Sequence, residues 1–312
     1  MLNAFKQISS QLLTPDLFIK KRYKIFQELL GHDRRCHRLL AELEEIYYSN
    51  ISMDINRVRL IYEEFSSGVA AMVSDLDKLS FGKYKNLIEY YKKIDFYARF
   101  ALAPPKIDET PPYILSIDSA YPDDRHTGGK GFHLSQLVHI LDLPVPAGFI
   151  VSTSAWNRIV KTNDLRSKIN RELAGVDIHS PSSLQNVSRT LAGYIEKALM
   201  PADLEEALAA AVTECMPAGT LFAVRSSAVG EDSSLSFAGL YRSLLNVGRE
   251  NISDSYRRIL ASKYTPEAIF YRIIHGLDDD ETPMAVLVLP MVDAHLSGVV
   301  TTGTGSAVRV TQ

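Results

Sequence analysis

Two cations stand in settings suited to holding phosphate. The first is Lys130, in the run Thr127-Gly128-Gly129-Lys130-Gly131 that opens the helical stretch Phe132-His133-Leu134-Ser135-Gln136-Leu137. Glycines let backbone N–H groups approach an anion, a helix N-terminus presents further donors, and lysine adds a point charge. The spacing is not that of a Walker A loop, GxxxxGK[ST]. A flexible turn with a solvated lysine would carry the same residues. The second is Arg225, in Phe222-Ala223-Val224-Arg225-Ser226-Ser227-Ala228, followed by Glu231-Asp232 and by Ser236-Phe237-Ala238-Gly239. An arginine at the end of an apolar strand, next to serine hydroxyls, suits several phosphate oxygens at once. The Gly-, Ser- and acid-rich stretch from Val229 to Gly239 suits a loop that closes over a nucleotide. A structural ion pair from Arg225 to Glu231 or Asp232 is the plainer alternative. A third stretch, Met284 to Val292 and then Ser297-Gly298-Val299-Val300-Thr301-Thr302, reads as two buried strands. Any part it takes in chemistry would come through backbone groups facing an adenine edge.

The elements that must position these residues fall into two regions. The first hundred residues predict helices. Thr14 before Pro15 is a start signal, Gly31 a stop, Asp33 and Asp54 caps for the second and third helices, and a fourth follows Gly82. Phe18, Ile19, Tyr23, Phe26, Leu29 and Leu30 recur at helical spacing, as do Val58, Ile61, Tyr62, Phe65, Val69, Met72 and Val73. Tyr84, Leu87, Ile88, Tyr91 and Ile94 are expected inside, and the tyrosines Tyr90, Tyr91 and Tyr97 read as bundle core. Pro104-Pro105 and Pro111-Pro112 forbid a continuous helix. The boundaries expected are therefore a helical bundle over 1–103, a proline-rich linker over 104–112 and a mixed region over 113–312. In the mixed region strands are expected at 113–117, 147–151, 221–225, 284–292 and 298–302. Helices are expected at 132–141, 154–172, 182–198, 202–214 and 251–275. The fold class is α+β, without a βαβ repeat.

The remaining features bound the function. With 312 residues and a formal net charge of -3, the chain lacks the basic excess of a general nucleic-acid binder. Its start has no signal-peptide pattern, and no apolar run is long enough for a membrane span. The two cysteines, Cys36 and Cys215, build neither a disulfide framework nor a CxxC knuckle, which points to a reducing cytoplasm. His32, Cys36 and His37 lack a further ligand at metal spacing and read as surface or capping residues. Asp278-Asp279-Asp280-Glu281 reads as a solvated turn.

Taken in order and spacing, GGKG…VPAGF, AVRSSA…ED…SFAG…LNV, YR and PMV…SGV resemble the N-terminal nucleotide-binding region of phosphoenolpyruvate synthase and pyruvate phosphate dikinase, from about Tyr113 to Thr302. Rifamycin phosphotransferases and glucan water dikinases share related regions. The resemblance implies an ATP-grasp type fold, incomplete here, that clamps ATP and magnesium. It implies phosphoryl transfer through a histidine on a separate swivelling domain to an acceptor such as pyruvate. By that analogy Lys130 and Arg225 are the catalytic cations at the phosphates. Gly128, Gly129 and Ser226 join them there, and Ala238, Gly239 and Ser243 lie on the covering loop. Leu289, Pro290 and Met291 lie at the adenine edge. Leu240-Tyr241-Arg242 departs from the family's glutamine-rich run, and Leu289 replaces a frequent polar residue. The family's acidic metal-binding segment, phosphohistidine domain and pyruvate-binding domain have no counterpart among these residues, so the chain reads as the front part of a longer enzyme. The magnesium ligands are accordingly expected outside it. A non-catalytic regulatory module built on a degenerate nucleotide-binding fold, or transfer to a rifamycin or glucan acceptor, remain alternatives.

Overall fold

The computed structural model describes residues 15–49, 51–119, 121, 123–215, 217, 219–230, 239–296, 298–302 and 308–311. The chain forms two compact units. One comprises Met1–Lys106, Ser167–Val187 and Phe270–Asp280; the other comprises Ile107–Arg166, Ser188–Ile269 and Glu281–Gln312.

The first unit is built on three helices: α1 (Pro15–Tyr48), α2 (Ile55–Leu79) and α3 (Leu87–Ala101). Pro15 opens α1 as expected, while Thr14 lies outside the described residues. The helix does not stop at Gly31, and Asp33 caps nothing. An interior glycine costs only about 1 kcal/mol, Gly31 is not among the residues at positive φ, and packing along α2 carries α1 through. Asp54 caps α2, accepting from the Asn56 amide at 2.9 Å. The expected fourth helix is thus α3, and it leaves large apolar side chains in solvent: Tyr90, Ile94 and Tyr97 are exposed. It docks on α2 through polar groups instead. Asp95 accepts from Tyr62 at 3.0 Å and from Ser66, and Ser66 meets Tyr91 at 2.8 Å.

The acidic run is not a solvated turn. Asp278 and Asp279 are buried. Arg59 donates to Asp278 at 2.7 Å, to Asn56 at 3.0 Å and to the Leu102 carbonyl at 2.8 Å. Arg272 pairs with Asp279 at 3.5 Å. Arg59, far away in the sequence, and Arg272, within the preceding helix, make these acids internal. Cys36 is buried beside Gly68, and His32 and His37 each face an aspartate, Asp75 and Asp33.

In the second unit five strands form an antiparallel sheet. The elements that follow α3 in chain order are β1 (Ile114–Ser116), α4 (Gly128–His139), β2 (Phe149–Val151), α5 (Thr153–Thr162), α6 (Arg166–Ala174), α7 (Pro181–Glu196), α8 (Ala202–Cys215), β3 (Phe222–Ala228), β4 (Ser243–Val247), α9 (Ile252–Ala261), α10 (Pro266–Ile274), β5 (Met284–Pro290), β6 (Val299–Thr302) and β7 (Val308–Thr311). Helices α6, α7 and α10 run into segments of the first unit. The strand order is β1-β2-β5-β3-β4, with β6 and β7 as a separate antiparallel pair. The fold class is α+β. The single helix expected over 154–172 is divided at 163–165, and 251–275 is divided by a 3-10 turn at Ser262–Tyr264.

Register decides which residues face α4. Ile150 lies opposite Leu287, Leu287 opposite Arg225, and Arg225 opposite Ser243. Directly opposed residues share a face. Ile150, Leu287 and Ala285 form a core with Ile117, covered by Leu134 and Val138 of α4. Arg225 and Ser243 therefore emerge on the side of the sheet that α4 covers. Leu289, opposite Ala223, emerges there too.

Candidate functional site

The first turn of α4 is bolted to β3. Gly128 sits at φ 65°, and a Cβ there would lie 1.9 Å from the Ser227 carbonyl oxygen. Only glycine allows both that backbone conformation and that approach. The Gly128 amide donates to the Asp124 carbonyl at 2.7 Å. The Gly131 amide donates to Ser227 Oγ at 3.0 Å, and that hydroxyl donates to the Thr127 carbonyl at 2.8 Å. Among the described residues the Gly129 amide has no hydrogen-bond partner, so it remains a donor at the positive end of the helix.

Lys130 lies in this turn, and its Nζ donates to the Ser226 carbonyl at 3.1 Å. That carbonyl belongs to the residue after Arg225. The lysine of the glycine-rich run and the arginine of the strand, 95 positions apart in the sequence, thus meet at one stretch of β3. Arg225 is the exposed residue of an otherwise buried strand. Among the described residues its guanidinium makes no hydrogen bond or ion pair. Glu231 and Asp232, the alternative partners, lie outside the described residues, as does Ala238.

Ser226 and Ser227 divide their roles. Strand alternation turns Ser226, which is buried, to the face opposite Arg225. Ser226 offers Lys130 its carbonyl, and Ser227 supplies the hydroxyl to α4. Gly239, at φ 79°, precedes β4, and Ser243 opens β4 directly across from Arg225. Leu289 packs at the margin of the core under α4. The Met291 amide donates to the Leu221 carbonyl at 2.8 Å, which extends the β3–β5 pairing past Pro290.

Sequence reasoning passed over Asp124. Its carboxylate accepts from the Gly230 amide at 3.0 Å, which ties the segment before α4 to the residues that follow β3. The one signal in the chain is the Asp123-Asp124 pair just ahead of the glycines. Its neighbour Asp123 faces Arg125 at 2.6 and 2.9 Å, and this guanidinium holds the Asp123 carboxyl below the usual range.

A helix mouth, a lysine and an arginine on one side of a sheet are the kinds of group that recognise anions. Among the described residues no group of three or more His, Cys, Asp or Glu is placed to hold a metal ion. No helix among the described residues is long and apolar enough to cross a membrane.

Residues 125–309 match the family described as pyruvate phosphate dikinase, AMP/ATP-binding domain. The match takes in more than half of the chain and both cations, and the chain belongs to this family. Its curated relatives include a probable phosphoenolpyruvate synthase of Methanocaldococcus jannaschii, 36% identical over 181 residues, which are 56% of this chain and 15% of that protein. A rifampicin phosphotransferase of Streptomyces sviceus is 37% identical over 177 residues, 56% of this chain and 20% of that protein. The phosphoenolpyruvate synthase of Deinococcus radiodurans is 34% identical over 179 residues, 55% of this chain and 23% of that protein. The chain therefore spans less than a quarter of each of these three.

Proposed function

We propose that residues 113–312 form an ATP-grasp type domain that binds ATP as the nucleotide-binding part of a phosphotransferase, with residues 1–103 as a helical domain and 104–112 as the linker. The observation that carries this reading is the meeting of Lys130 with the peptide next to Arg225, inside a stretch that matches an AMP/ATP-binding family. Lys130 and the α4 amides face one side of the triphosphate. Arg225 grips from the strand with a planar fork and stabilises the charge that spreads over the phosphoryl oxygens during transfer. Ala238, Gly239 and Ser243 close over the phosphates. The backbone at Leu289 and Met291 borders the adenine. Magnesium accompanies the nucleotide and neutralises phosphate charge, with its protein ligands outside this chain's described residues.

The phosphoryl group then passes to a histidine on a separate domain and on to an acceptor. Pyruvate is the acceptor we favour, because two of the three relatives above are named as phosphoenolpyruvate synthases. The rifampicin phosphotransferase among them keeps an antibiotic acceptor as the second reading. Calorimetric titration of the chain with magnesium-ATP tests the nucleotide reading. Arg225→Ala and Lys130→Ala are each expected to weaken binding about tenfold or more, in keeping with the loss of a charge-assisted contact. Equal affinity in the wild type and both variants would sink it.

A further inference from the structure

The carbonyls of the four residues ahead of α4 are all engaged. Asp124 O accepts from the Gly128 amide at 2.7 Å and His126 O from the Thr153 amide at 3.0 Å. Arg125 O accepts from Thr153 Oγ1 at 2.7 Å, and Thr127 O from Ser227 Oγ at 2.8 Å. Asp124 alone of the four also reaches the exit of β3 with its side chain. Gly230 lies two residues past β3, at φ 75°, and its amide donates to Asp124 Oδ2 at 3.0 Å. One residue earlier, the Val229 amide donates to the Pro283 carbonyl at 3.2 Å, next to the start of β5. The bonds between the two segments run in opposite order along the chain. Asp124 meets Gly230, Thr127 and Gly131 meet Ser227, and Lys130 meets Ser226. Lys130 stands at one end of this seam, beside Arg225, and Asp124 stands at the other.

We propose that Asp124 is a positioning residue for the phosphate contacts: its carboxylate clamps the approach to α4 onto the exit of β3 and so sets Lys130 against Arg225. The proposal rests on the nucleotide reading given above. Two physical arguments support it. Bonds clustered at Ser226 and Ser227 leave the turn of Lys130 free to pivot about them, and a tie at the far end of the seam removes that freedom. Contacts to a reacting group are sensitive to displacements well below 1 Å. The second argument is electrostatic. An acid just ahead of a helix is drawn to the helix's own unpaired amides. Here Asp124 Oδ2 is engaged by Gly230, and Asp123 is engaged by Arg125. The Gly129 amide, without a partner among the described residues, is thereby left for an anion. The role assigned to Asp124 is that of an acceptor and not of a charge, so asparagine can fill it and alanine cannot.

The test is calorimetric titration of the full chain with magnesium-ATP and, separately, with AMP. Asp124→Ala is expected to raise the Kd for magnesium-ATP about tenfold. The Kd for AMP is expected to change about twofold or less, because AMP lacks the terminal phosphates that the two cations share. Asp124→Asn is expected to bind both nucleotides as the wild type does, since its side-chain oxygen still accepts from Gly230. Amide hydrogen exchange reads the tie without any nucleotide. The Gly230 amide is expected to exchange about tenfold faster in Asp124→Ala and at the wild-type rate in Asp124→Asn. The inference is overturned if Asp124→Ala holds magnesium-ATP as tightly as the wild type, if it loses ATP and AMP equally, or if Asp124→Asn is as weak as Asp124→Ala. When Arg225→Ala loses ATP and Asp124→Ala does not, the nucleotide reading stands and this inference alone fails. A wild type that binds neither nucleotide removes both.

Discussion

The Ser227 hydroxyl is spliced into the first turn of α4 at Gly131. In a regular helix the Gly131 amide would donate to the Thr127 carbonyl four residues back. Here it donates to Ser227 Oγ at 3.0 Å, and Ser227 Oγ donates onward to Thr127 at 2.8 Å. The turn that holds Lys130 is therefore tied to β3 through a side chain. The lysine's own bond to the Ser226 carbonyl fixes its head against the same strand.

Ser227→Ala is expected to cost about 1–3 kcal/mol, because a buried amide and a buried carbonyl both lose their partner. Urea unfolding measures this. The same variant is expected to bind magnesium-ATP more weakly, since the turn of Lys130 loses its tie to the strand of Arg225. Unchanged stability would mean that the Ser227 hydroxyl has no energetic weight in this turn.

Gly128→Ala removes the close approach from the other side. The new Cβ meets the Ser227 carbonyl oxygen at 1.9 Å, and φ is 65°. Gly219, at φ 86°, has no atom of the described residues within 4 Å of where a Cβ would stand. Gly219→Ala therefore incurs only the left-handed backbone penalty of roughly 1–2 kcal/mol. Gly128→Ala is expected to exceed it by about 2 kcal/mol or more, as overpacking against rigid backbone does. Thermal unfolding of the two variants side by side decides, and equal losses would show that contact with β3 is not what demands glycine at 128.

The glycine-rich start of α4 and the strands at 222–228 and 284–290 were legible in the sequence, because glycine runs and apolar runs are local signals. Which of two adjacent serines faces α4 was not. It depends on the pairing of Arg225 with Leu287, a contact between residues far apart in the chain. The same limit explains the other departures. Asp278 and Asp279 look like a solvated run until Arg59 and Arg272 are seen beside them. Gly31 looks like a stop until the packing of α1 along α2 is counted. The tyrosines of α3 look like core because their periodicity is helical, yet a polar cluster at Asp95 holds that helix.

Arg59 carries a prediction of its own. Its pair with Asp278 is at 2.7 Å, with side chains only 17% and 8% exposed. Removing one partner of such a pair leaves a buried charge, so Arg59→Ala is expected to cost about 3–5 kcal/mol. Arg35 pairs with Glu64 at a similar 2.9 Å, but in solvent. Arg35→Ala is expected to change stability by about 1 kcal/mol or less. Denaturant unfolding of both variants measures the contrast, and equal effects would contradict the burial that separates the two pairs.

Asp54 supplies a pH dependence of definite sign. Burial pushes its carboxyl above the usual range, and the neighbouring Asp279 and Asp278 add to this, while hydrogen bonds from Asn56 oppose it. The folded-state value therefore lies above the unfolded one. Such a group favours the folded state fully below the unfolded value, and that contribution is lost as pH rises through the folded value. At neutral pH the wild type holds a charge that its surroundings disfavour. Asp54→Asn removes the charge and keeps an oxygen that can accept from the Asn56 amide, which preserves the cap of α2. The variant is expected to melt above the wild type at pH 7 and 8, with the gap closing as pH falls through the raised folded-state value, where the wild-type carboxyl takes up its proton. Melting curves at several pH values settle it. A variant less stable than the wild type at pH 7 would mean that the ionised carboxylate stabilises the unit and that burial does not set its balance.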